Sequence, residues 1–81
     1  MREINRVLEL LRTTPPTVDA LTAAHNILIA NGMRPIDVEL AIRHLKGGDA
    51  ELALKYLYGP TNRGTGRGAI KDLEIIASLH D

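Results

Sequence analysis

Three segments of this chain repeat one apolar spacing, and a fourth comes close to it. Ile4, Val7, Leu8 and Leu11 fall at i, i+3, i+4 and i+7, as do Val38, Ala41, Ile42 and Leu45, and again Ala50, Ala53, Leu54 and Leu57. Ile70, Leu73, Ile76 and Ala77 form a similar stripe near the C-terminal end. Such a stripe is one face of an α-helix, whereas a half-buried strand alternates in twos. No segment shows that alternation, and β-branched residues never cluster. The expected fold is all-α, a small helical bundle.

The breaks between stripes fall where helices would need to end. Thr13-Thr14-Pro15-Pro16 stops the first, because a residue before proline avoids the α region. Thr17 can cap the second helix, with Asp19 near its positive end. That helix is apolar nearly all round, from Val18 through Leu21, Ile27, Leu28 and Ile29 to Ala30, so a central position is expected. Asn31-Gly32 ends it, and Pro35 and Asp37 suit the first turn of a third helix. Gly47-Gly48 breaks the chain again, Asp49 is a good cap for a fourth helix, and Gly59-Pro60 is a firm stop. Residues 59–68 read as a glycine-rich loop, and residues 69–80 as a last helix, which the loop should leave the freest to move.

With 81 residues the chain holds one domain, and with no cysteine it has neither disulfides nor thiolate metal sites. Ten basic and ten acidic residues cancel, so bulk charge draws it to neither nucleic acid nor anionic membrane. Phe and Trp are absent, and Tyr56 and Tyr58 alone cannot build a stacking platform for single strands. The N-terminal MREINRVLELLR is charged throughout, unlike a signal peptide, and no run approaches the roughly 20 apolar residues of a membrane span. A cytoplasmic, soluble protein without cofactor or metal is the expectation.

The region from about Ala20 to Tyr58 resembles the ubiquitin-associated (UBA) family. Asn31-Gly32-Met33 stands where that family has a Met-Gly-Phe-like turn, and Ala41-Ile42 stand where it has Ala-Leu. Gly48-Asp49 matches its second glycine turn, and Glu51-Leu52-Ala53-Leu54-Lys55-Tyr56-Leu57-Tyr58 is close to its acidic-x-Ala-x-x-x-Leu-Leu helix. The N-terminal domain of elongation factor Ts uses a similar Gly-Asp version. The resemblance covers about half the chain. It implies a three-helix core over residues 20–58 with helices flanking it on either side. It also implies a non-enzymatic adaptor or regulator that binds another protein. Asn31 replaces the family's methionine and Met33 its aromatic, which weakens the patch that holds ubiquitin. Ubiquitin itself is a candidate only if the source is eukaryotic.

The residues themselves also point to a binding surface. Met33 stands at a turn, where a flexible thioether suits adaptable apolar contacts. Leu57 and Tyr58 close the fourth helix beside a glycine stop, and tyrosine is common in interfaces. The expected protein-binding set is therefore Asn31, Gly32, Met33, Leu57 and Tyr58, with core packing as the alternative role for Met33, Leu57 and Tyr58. Self-association as a homodimer is a further option for the flanking helices.

The rival reading is a nucleic-acid-associated regulator. Arg63, Arg67 and Lys71 surround glycines just before a helix, where exposed N–H groups could cradle an anion. The segment lacks the Gly-Lys-Ser/Thr ending of a P-loop, so a plain linker is the stronger reading. A helix-turn-helix made of the third and fourth helices is disfavoured, because Asp49 and Glu51 at the start of the reading helix would repel phosphates. His25 has neither a second histidine at helical spacing nor a paired carboxylate motif, and is expected to be structural.

Overall fold

A computed structural model describes residues 3–13, 15–59 and 67–80, apart from the His80 side chain. Among these residues there are five helices and no strand: α1 Glu3–Thr13, α2 Val18–Ala30, α3 Ile36–Lys46, α4 Ala50–Tyr58 and α5 Ala69–His80. No helix of the described residues is long and apolar enough to cross a membrane.

The two glycine turns are closed the same way. Gly32 takes φ +73°, donates its N–H to the Ile29 carbonyl at 3.1 Å, and lets Met33 N–H reach the Leu28 carbonyl at 3.0 Å. Gly48 takes φ +87°, donates to Leu45 at 3.1 Å, and lets Asp49 N–H reach His44 at 2.8 Å. Both are Schellman closures, which satisfy the last carbonyls of a helix through one left-handed residue. Asp49 then starts the next helix, its Oδ1 accepting from Leu52 N–H at 3.0 Å. Thr17 does the same for α2, accepting from Ala20 N–H at 3.1 Å. Asp49→Ala is expected to cost about 1 kcal/mol in urea unfolding, and Asp49→Asn only a fraction of that, since asparagine caps almost as well.

Each helix packs on the next in sequence where a tight turn joins them, and α5 closes the ring. It lies against α4 on one side and α1 on the other, and also touches α2. Arg12 of α1 pairs with Glu74 of α5 across that closure. One apolar core results, with buried side chains from all five helices. The last helix contributes Ala69, Ile70, Leu73, Ile76 and Ala77, so it is part of the core rather than a loosely tethered flank. The shared interior therefore extends beyond residues 20–58.

Two stripes differ from their expected faces. In α2 only Leu21, Ala24 and Leu28 are buried, while Ile29 is 55% exposed. An all-apolar helix in a shell this small still has a side that nothing covers. In α4 the buried residues are Ala53, Tyr56 and Leu57, while Leu54 is 37% exposed. Tyr56 faces inward, where its ring stacks on His44 of α3 with centroids 5.4 Å apart and planes at 1°.

Gly59 and Gly68 hold α4 and α5 together at their facing ends. Gly59 has φ +50° and Gly68 φ +87°. A Cβ on Gly68 would stand 2.7 Å from the Gly59 nitrogen and the Leu57 carbonyl oxygen, and one on Gly59 would stand 2.7 Å from the Gly68 nitrogen. The two backbones touch, and only glycine lets them.

Candidate functional site

The turn at residues 31–33 is shaped first by capping. Asn31 and Gly32 are exposed, and the Asn31 side-chain amide donates to the Ile27 carbonyl at 2.8 Å. Met33 is half-buried and packs against the core. Its backbone completes the Schellman closure while part of its thioether chain stays in solvent. Ile29, one turn earlier on α2, adds exposed apolar surface on a helix whose composition suggests a central position. Its signal was the surplus of apolar residues around α2, more than one face can bury.

At the end of α4 the two neighbours separate. Leu57 is completely buried, whereas Tyr58 is 52% exposed. Consecutive helical residues point about 100° apart, so a helix whose Ala53 and Leu57 face inward turns position 58 outward. Leu57 is thus a core residue and not a contact residue. Asn31, Gly32, Met33 and Tyr58 keep accessible surface.

The basic residues stand differently. Arg63 lies outside the described residues. Arg67 donates its Nε–H to Asp72 Oδ1 at 2.7 Å, with the Asp72 side chain only 1% exposed. Asp72 is in the first turn of α5, where the helix dipole favours a negative group. The chain thus supplies its own anion to that helix end, and Arg67 is engaged in holding it. Lys71 is exposed.

Histidines occupy two inter-helix positions. His25 Nε2 stands 3.8 Å from Glu39 Oε1, beyond hydrogen-bond length, so it links α2 to α3 loosely. His44 stacks on Tyr56, with Nε2 buried and without a hydrogen-bond partner among the described residues. Among the described residues no three His, Asp or Glu side chains stand close enough to hold a metal ion. Comparison with protein-family models, curated proteins and solved structures finds no match to this chain.

Proposed function

We propose that this chain is a non-enzymatic protein-interaction module, an adaptor or regulator that binds a partner protein through a UBA-like surface. Two elements make up that surface: the Asn31–Met33 turn and the outward side of the end of α4. The observation that carries the reading is Tyr58. It offers a large amphipathic ring, 52% exposed, on a helix end that buried Leu57 and Tyr56 hold in place. A rigidly mounted aromatic loses little freedom on binding, which is why tyrosine is enriched at interfaces. Ile29 and Met33 supply further apolar surface at the end of α2.

The test is affinity capture from the native host with wild-type, Tyr58→Ala and Met33→Gln baits, partners being identified by mass spectrometry. Glutamine is chosen because Met33 also packs on the core, where a charge would disturb the fold. Each variant should keep its helical circular dichroism and hold its partner at least about tenfold more weakly, as truncating an interface anchor does. Undiminished capture by both would refute the assignment. Purified ubiquitin, titrated against the wild type, decides whether the family's own ligand is the partner.

A further inference from the structure

A second surface, lined by none of residues 31–33 or 58, runs between α1 and α2. It is a groove of about 700 Å³ with Val7 and Leu10 on one wall and Ala20 and Ala23 on the other. A smaller groove continues past Ala23 to Ile27 and Ala30. Together they follow α2 from Ala20 to Ala30, about 15 Å at the helical rise. Leu10 is 40% exposed there. Alanines along the α2 wall would let another helix come close.

The charges on this face suggest what covers it. Glu3 and Asp19 border both grooves, while Arg6 borders the first alone. Ion pairs among the described residues include Arg12–Glu74, His25–Glu39 and Arg67–Asp72, and Glu3, Arg6 and Asp19 take part in none of these. One largely apolar face thus carries two acids and a base, with no ion pair to any of them among the described residues. Across a two-fold axis, a contact between one residue and a different residue of the other copy recurs in reverse, so such a pairing occurs twice. The face supplies both halves of such a pairing itself. We propose that the α1–α2 groove is a homodimer interface, with the apolar walls of two copies in contact and Arg6 of each opposite Glu3 or Asp19 of the other.

Sedimentation equilibrium of the full chain tests this at concentrations up to about 1 mM, the range of a weak association. The wild type should approach twice its 8.9 kDa mass. Arg6→Glu should weaken self-association at least about tenfold, because it sets like charges opposite each other, and so should Glu3→Lys combined with Asp19→Lys. All three positions are exposed, so circular dichroism should stay unchanged. Mixing the two variants should restore a mixed dimer, and Tyr58→Ala should leave dimerisation intact. A monomeric wild type would overturn the proposal. So would variants that dimerise like the wild type, or folded variants that fail to associate on mixing. None of these results bears on the partner surface at residues 31–33 and 58.

Discussion

Gly68→Ala should cost about 3 kcal/mol or more, because two penalties act at the same atom. The first is conformational, since φ +87° is a region that L-residues enter at a cost of about 1–2 kcal/mol. The second is steric. The new methyl would stand 2.7 Å from three backbone atoms, the Gly59 nitrogen, the Leu57 oxygen and the Tyr58 carbonyl carbon. Backbone cannot swing aside as a side chain can, so α4 and α5 would have to part. A single core of this size supplies only a few kcal/mol, so most of the stability would be lost. Gly32→Ala is the control. Its φ is +73°, but nothing lies within 4 Å of the added carbon, so only the conformational cost of about 1–2 kcal/mol applies. Urea unfolding of the two variants side by side measures the steric part as their difference. Equal costs would mean that the Gly59–Gly68 contact is absent in solution.

Leu57→Ala should be nearly as damaging, at about 2–5 kcal/mol, the usual range for removing a buried leucine side chain. Leu57 is fully enclosed in the interior that α4 shares with α5. Tyr58→Ala, one residue on, should change stability by about 0.5 kcal/mol or less, as surface substitutions do. Thermal melts of the pair give the comparison, and in a capture assay both variants should lose the partner for different reasons. Tyr58→Ala loses the partner and keeps the fold, whereas Leu57→Ala loses the partner only because it loses the fold. Similar melting shifts in both would mean that α4 presents a different face to the core.

Much of the fold can be read from residue types whose effects are local. Gly32 and Gly48 mark the Schellman turns, Thr17 and Asp49 mark helix starts, and the stripes of α1 and α5 are buried where the spacing places them. What cannot be read depends on contacts between segments distant in sequence. Periodicity shows that α5 has an apolar face, but not that this face fills the gap between α4 and α1. The glycines of residues 59–68 read as flexibility, yet two of them serve close packing. The α4 stripe counted Leu54 and passed over Tyr56, because nothing in its own helix shows that His44 will stack on the tyrosine ring. Nothing in the spacing of α5 marks Asp72 as buried, and Arg67, five residues earlier, pairs with its enclosed carboxylate. At the candidate surface the same limit applies. The sequence points to Leu57 and Tyr58 together, and the core packing of α4 decides which of them meets solvent.

All five helices share one core, and we expect them to unfold as one unit that leaves the remaining surfaces available for binding. Native-state hydrogen exchange tests this most directly. If α5 belongs to the core, the amides of Leu73 and Ile76 should exchange with the same opening free energy as those of Leu28 and Ala41, and all four should fall together as urea is added. If Leu73 and Ile76 exchange through a separate, cheaper opening while Leu28 and Ala41 stay protected, α5 is a detachable helix and the single-core account is wrong.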